Sequence, residues 1–147
     1  MSITLKVLKL HPDATIPTRG STSASGLDLS ALTNYTLAPW ETKIIKTGIA
    51  MEIPTGFEIQ VRPRSGLSLK TPLRVANSIG TVDQDYQGDI SVIMWNASNE
   101  LQSIKAGDRI AQAVLCPVVL PLVVEVETFS AETKRGVNGF GSTGMGS

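Results

Sequence analysis

Apolar and polar residues alternate with a period of two along much of the chain. Residues 56–62 show this alternation clearly and residues 3–7 repeat it, as expected for β-strands with one buried face. Residues 89–96 are apolar at nearly every position, which predicts a strand covered on both faces. β-Branched runs at residues 42–51 and 110–115 predict further strands.

Turn-forming residues separate these strands at short intervals: Pro39, Pro54, Gly56, Pro63, Pro72 and Gly107. Many short strands with frequent turns predict an all-β fold, a jelly-roll-like barrel or sandwich. The pattern allows one short helix at most, within residues 67–73. Residues 113–126 are the most apolar stretch, but they are too short to span a bilayer and contain two prolines. We therefore expect a buried strand there and no membrane association.

Composition narrows the possible functions. Thirteen basic residues balance thirteen acidic ones, so no overall field attracts nucleic acid. A single cysteine excludes an internal disulfide, and a single histidine argues against a histidine-based zinc site or triad. Catalysis would then depend on carboxylates and a hard metal ion. The N-terminus lacks the apolar core of a signal peptide, so we expect a cytoplasmic protein, with nuclear or organellar location left open.

Two segments in the first half of the chain combine charge with glycine. Asp28 lies between Leu27 and Leu29, so its side chain faces away from theirs. It is either a solvent-facing aspartate or an acidic group near Mg²⁺. Arg64 and Ser65 follow a proline, and a guanidinium beside a hydroxyl suits phosphate. The P-loop pattern is absent, and an ordinary turn is the alternative.

Two further segments lie in the second half. Asp83 and Tyr86 stand between two glycines, either in a hairpin turn with solvated acids or in a site where a carboxylate acts as general base toward water. Arg109 beside Asp108 is expected to form a surface ion pair that contributes little to stability. Gln112 places an amide within an apolar run, where it needs a hydrogen-bond partner.

The last residues differ from the rest of the chain. Five of the 13 glycines lie within residues 136–146, a composition typical of a mobile terminus. The same segment follows an arginine directly and contains an aromatic ring and a Gly-Ser-Thr-Gly sequence, so a functional role stays open.

In this order, the segments ASGLDLSA, PRSGLSLK, GTVDQDYQG, GDRIAQ and RGVNGFGSTG resemble the five motifs of the homotrimeric dUTP diphosphatases. The resemblance covers about Ala24 to Gly144 and implies a jelly-roll homotrimer with active sites at subunit interfaces. It implies Mg²⁺-assisted hydrolysis of dUTP to dUMP and pyrophosphate, which limits uracil in DNA and supplies dUMP for thymidylate synthesis. It further implies a β-barrel domain over residues 1–127 and a flexible arm over 128–147 that closes the site.

The resemblance also assigns roles around the nucleoside. Asp83 corresponds to the base that orients and deprotonates the attacking water. Tyr86 corresponds to the ring under the deoxyribose, which leaves no room for a 2′-hydroxyl. Asn77 lies where the family contacts the uracil edge, together with backbone groups of the same hairpin at Gly80 and Val82.

The phosphate side is assigned in the same way. Arg64, Ser65 and Gly66 correspond to the phosphate-contacting turn, where Ser65 stabilises charge on the bridging oxygen. Gln112 corresponds to the amide near the attacking water and the α-phosphate. Asp28 corresponds to the acid that holds metal-bound water, as an outer-shell ligand of Mg²⁺.

In the arm, the resemblance implies that Arg135 meets the γ-phosphate and that Phe140 lies over the uracil. Backbone amides of Gly141, Ser142 and Thr143 would add phosphate contacts. Two alternatives remain: a dCTP deaminase of the same fold, which would release ammonia from dCTP, and a jelly-roll trimer that has lost its chemistry.

Overall fold

The computed structural model describes residues 3–138, which form eleven strands and one short helix. The strands are β1 (Lys6–Lys9), β2 (Leu27–Ser30), β3 (Tyr35–Leu37), β4 (Thr42–Lys46), β5 (Ile49–Glu52), β6 (Phe57–Arg62), β7 (Leu73–Val75), β8 (Gly80–Val82), β9 (Ser91–Asn96), β10 (Gln102–Ile104) and β11 (Arg109–Pro117); the helix is α1 (Ser65–Lys70). The all-β prediction is confirmed, and the short helix begins at Ser65.

The strands form four small antiparallel sheets with the orders β1-β5, β10-β3, β4-β9-β7 and β2-β11-β6-β8. The four-stranded sheet contains four of the predicted site residues, Asp28, Gly80, Val82 and Gln112. Within it, Asp28 of β2 lies opposite Gln112 of β11, which in turn lies opposite Arg62 of β6. Directly opposed residues share a face of the sheet. The register therefore places three polar side chains in one row.

One core lies between the sheets. The alternating apolar positions of the strands face inward, so that Leu29, Ile59 and Val92 are fully buried. Asn96 is a fully buried polar side chain, and its Nδ2 donates to the carbonyls of Leu37 (3.2 Å), Ala38 (2.9 Å) and Glu100 (2.7 Å). The cost of burying this amide is offset because its donors are all used.

The prediction that residues 89–96 are covered on both faces is wrong. In β9, Val92 and Met94 are buried, whereas Ile93 is half-buried and Trp95 is 37% exposed. Within the described part of the chain no layer covers this outer face, on which Ile44 of β4 lies opposite Ile93 and is also exposed. The sheet thus presents apolar side chains on its outer surface.

The expectation of a buried strand through residue 126 is correct only as far as β11. This strand ends at Pro117, because proline has no backbone N–H to continue the ladder. Beyond it, Val119, Leu120, Leu122 and Val123 are each more than 80% exposed. No helix in the described residues is long and apolar enough to cross a membrane. The boundary between a barrel domain and an arm at residue 127 stays a prediction.

Candidate active site

One group of predicted site residues lines a cavity of about 390 Å³ beside β8. Asn77, Gly80, Val82, Asp83 and Tyr86 all contribute to its wall. The pairing of β8 with β6 forms the floor of the cavity, where Gly80 lies opposite a valine of β6. Residues that the sequence places on one short hairpin are therefore assembled around one space.

The hairpin after β8 holds its side chains by local contacts. The Tyr86 amide donates to the Asp83 carbonyl (3.1 Å), which closes a turn and brings the carboxylate and the ring to the same cavity. The Tyr86 hydroxyl donates to the carbonyl of Asp89 (3.1 Å). A Cβ on Gly88 would lie only 2.5 Å from that hydroxyl oxygen. The ring thus occupies space that any other residue at position 88 would fill.

A second group surrounds the carboxylate of Asp28. Arg64 Nε donates to one of its oxygens (2.7 Å), and Arg109 Nη1 donates to the other (3.2 Å). The Asp28 side chain is only 16% exposed, so it is not the solvent-facing aspartate that was the alternative. Two charge-assisted hydrogen bonds, the one from Arg64 partly buried and the one from Arg109 exposed, hold both guanidinium groups at one end of the sheet.

Gln112 finds the partner that its position in an apolar run requires. Its Nε2 donates to the carbonyl of Pro63 (2.8 Å), which directly precedes Arg64 in the chain. The amide therefore connects β11 to the turn that carries the arginine. This contact confirms the sequence expectation of a hydrogen-bond partner.

Arg109 is a site residue that the sequence analysis missed, because it was expected to pair with Asp108. Asp108 instead accepts a hydrogen bond from the amide of Lys105 (2.8 Å). A register shift in the pairing of β11 with β2 lies between Arg109 and Ala111. Such a bulge reverses the alternation of side chains, so that Arg109 and Gln112 share the face of Asp28. In the sequence, this bulge is marked by two adjacent apolar residues, Ile110 and Ala111, both of which are buried in the structure.

Ser65 and Gly66 are exposed at the start of α1. Arg64 precedes the helix and provides no side-chain cap for it, so the first backbone amides of this turn are not used by a cap. Free amides at the start of a helical turn, next to an arginine, suit an anionic group. Ser65 and Gly66 are thus accessible where the sequence predicts the phosphate turn, and their contact with phosphate stays a prediction.

Among residues 3–138, the two groups do not meet in the cavity beside β8. The walls of the 390 Å³ cavity include neither Asp28, Arg64, Ser65 nor Gln112. Asp28 and Gln112 lie on β2 and β11 of the sheet that also contains β8, whereas Arg64 and Ser65 lie between β6 and β7. Arg135 is exposed and its Nε donates to the Asn138 carbonyl (2.8 Å). The predicted contacts of Phe140, Gly141, Ser142 and Thr143 lie outside the described residues.

The described residues contain no group of three or more histidine, cysteine, aspartate or glutamate side chains placed to hold a metal ion directly. Asp28 contacts two arginines, and a carboxylate has about four lone-pair directions. Two directions therefore remain for water. The site fits a metal held through water by Asp28 and does not fit one held by protein ligands alone.

The fold and this arrangement define an all-β protein with a cavity beside β8 and a separate group of polar residues around Asp28 and Arg64. The dUTPase family model matches residues 12–144. The chain is similar to the deoxyuridine 5′-triphosphate nucleotidohydrolases of Nautilia profundicola (49% identity; 95% of this chain and 98% of the relative) and of a Picosynechococcus species (50% identity; 95% and 98%). It is also similar in structure to the dUTPase of Staphylococcus bacteriophage 80alpha solved with dUPNHPP (TM-score 0.92, 30% identity; 98% of this chain and 100% of that chain). The chain belongs to the dUTPase family.

Proposed function

We propose that this protein hydrolyses dUTP to dUMP and pyrophosphate by attack of water on the α-phosphate, limiting uracil incorporation into DNA and supplying dUMP for thymidylate synthesis. The observation that carries the proposal is the cavity in which the Asp83 carboxylate and the Tyr86 ring share one wall. A carboxylate beside a nucleoside-sized space can hold and deprotonate a water. Family membership gives the substrate class.

The hairpin would select the base and the sugar. Asn77 and backbone groups at Gly80 and Val82 would contact the uracil edge, and the hairpin backbone is already close to Asn77. A Cβ on Gly80 would lie 3.2 Å from the Asn77 amide nitrogen, so a larger residue would crowd this edge. The Tyr86 ring would pack against deoxyribose and exclude a 2′-hydroxyl.

The phosphate side would complete the reaction. Arg64 would bind the phosphates, with the Gly66 turn offering backbone amides. Ser65 would stabilise charge developing on the bridging oxygen as the bond to pyrophosphate breaks. Gln112 would orient the attacking water, whose proton passes to Asp83.

The separation of the two groups supports a homotrimer in which a second copy supplies the phosphate-side residues. Two apolar side chains, Ile44 and Ile93, line the nucleoside cavity and lie on the uncovered face of the β4-β9-β7 sheet. The exposed apolar segment 118–126 offers further surface for burial in an assembly. Contiguous exposed apolar surface of this kind is typical of subunit interfaces.

Mg²⁺ would enter with the triphosphate, as its counter-ion. Asp28 would contact metal-bound water, and the ion would neutralise phosphate charge that two arginines alone leave unbalanced. Residues 128–147 would form the arm, in which Arg135 meets the γ-phosphate and Phe140 covers the base, with Gly141, Ser142 and Thr143 on the phosphates. An arm that closes over substrate also excludes bulk water.

Steady-state release of pyrophosphate from dUTP, dCTP, dTTP and UTP, with and without Mg²⁺, tests the proposal. We expect release from dUTP alone, and only with Mg²⁺. Release of ammonia from dCTP would identify a deaminase of the same fold instead. Absence of turnover with every nucleotide would favour a jelly roll that has lost its chemistry.

A further inference from the structure

Gly26 lies immediately before β2 and borders the side chain of Gln112. The three atoms nearest to a Cβ built on Gly26 all belong to Gln112: Oε1 at 2.0 Å, Cδ at 2.9 Å and Cβ at 3.0 Å. Carbon and oxygen atoms in ordinary contact are about 3.5 Å apart. The carboxamide of Gln112 therefore occupies the space that a side chain at position 26 would take.

The sheet register explains why the glutamine leans toward this glycine. Gln112 lies directly opposite Asp28 on the polar face of the sheet. Gly26 precedes Asp28 by two residues and therefore faces the same side of the sheet. The Asp28 carboxylate is held by Arg64 and Arg109. With no side chain at position 26, Gln112 can extend along β2 without displacing either arginine.

The same placement sets the orientation of the amide. Gln112 Nε2 donates to the Pro63 carbonyl (2.8 Å), which leaves Oε1 on the side of Gly26. One N–H of the amide and the lone pairs of Oε1 then stay available to a ligand. If the amide were pushed away from Gly26, it would lose the Pro63 contact and its fixed orientation.

We propose that Gly26 is a positioning residue for Gln112: the missing side chain leaves the space that holds the Gln112 amide in the orientation used on the attacking water. This inference rests on the proposed function, since it assigns Gln112 a role in turnover. Gly26 has no side chain with which to contact substrate or metal, so it would act only through Gln112. Its backbone φ is not in the left-handed region, so alanine is conformationally allowed there and the effect is purely steric.

The test compares Gly26→Ala, Gln112→Ala and the double variant in the full-length protein, with Gly20→Ala as control. Gly20 has no atom within 4 Å of a built Cβ and an ordinary φ, so alanine there should change nothing. We expect Gly26→Ala to lower kcat for dUTP by about a hundredfold, the order expected for an ångström-scale misplacement. Affinity for the imido analogue of dUTP should stay near wild type and the melting temperature should fall only slightly, because Oε1 and Cδ can rotate away and the Cβ contact at 3.0 Å needs a shift of only a few tenths of an ångström.

The double variant decides whether Gly26 acts through Gln112. We expect it to be no slower than Gln112→Ala alone, because the group that Gly26 positions is already gone. Losses that multiply in the double variant, or a wild-type kcat for Gly26→Ala, would overturn the proposal. A large drop in the melting temperature of Gly26→Ala would also overturn it by making Gly26 a structural residue. If wild-type protein releases no pyrophosphate from dUTP, the proposed function fails before this comparison begins.

Discussion

Replacing Gly88 with alanine should weaken discrimination between dUTP and UTP without unfolding the protein. The new Cβ would lie 2.5 Å from the Tyr86 hydroxyl oxygen and 2.7 Å from Cζ, whereas ordinary contacts are about 3.5 Å. The ring must therefore retreat by about 1 Å. It would lose the hydrogen bond from its hydroxyl to the Asp89 carbonyl (3.1 Å), worth about 1 kcal/mol.

The size of the functional effect follows from the role proposed for the ring. Tyr86 is 47% exposed, so it has room to move and the stability cost should not exceed about 1 kcal/mol. A ring displaced by about an ångström would no longer pack in the position that excludes a 2′-hydroxyl. We expect the ratio of kcat/KM for dUTP to that for UTP to fall about tenfold, which corresponds to about 1.4 kcal/mol of lost discrimination.

Pyrophosphate release measured below KM for each nucleotide gives this ratio directly, and a melting curve confirms that the variant is folded. Gly20→Ala is the matched control, since its added methyl group meets no neighbour. Tyr86→Ala should lose at least as much selectivity, because it removes the ring altogether. A folded Gly88→Ala protein with wild-type selectivity would refute both the steric reasoning and the sugar-contact role of Tyr86.

Three other perturbations test separate parts of the molecule. Asp83→Asn should bind the imido analogue normally but lose at least about a hundredfold in kcat, because an amide cannot accept the proton; a near-normal kcat would refute the base assignment. Removal of residues 135–147 should greatly lower kcat/KM but leave the melting temperature unchanged, since residues 135–138 are exposed; a lower melting temperature would make this segment structural. Asn96→Ala should lower the free energy of unfolding by about 3 kcal/mol, because three main-chain carbonyls, one in a buried and two in part-buried hydrogen bonds, lose their donor. Urea denaturation against the exposed Asn99→Ala measures this, and equal stabilities would contradict that hydrogen-bond account.

Much of the fold could be predicted from local patterns. The alternation in residues 56–62 predicted β6 because a strand with one buried face must repeat every second residue. The prolines and glycines marked turns because they restrict or free the backbone in known ways. The burial predicted for both faces of β9 and for the residues after Pro117 was wrong for the same reason. An apolar residue signals that burial is favourable, but not whether its own chain or a second copy covers it.

For the site, the sequence by itself determined which chemical groups are present: carboxylates at Asp28 and Asp83, an arginine at Arg64, an amide at Gln112 and a ring at Tyr86. Only the tertiary structure decided how they combine. The bulge at residues 110–111 brings Arg109 to Asp28, and the absence of a side chain at Gly26 gives Gln112 its place. These contacts join residues far apart in the chain. They depend on strand register and on the volume left by neighbours, which local preferences do not specify.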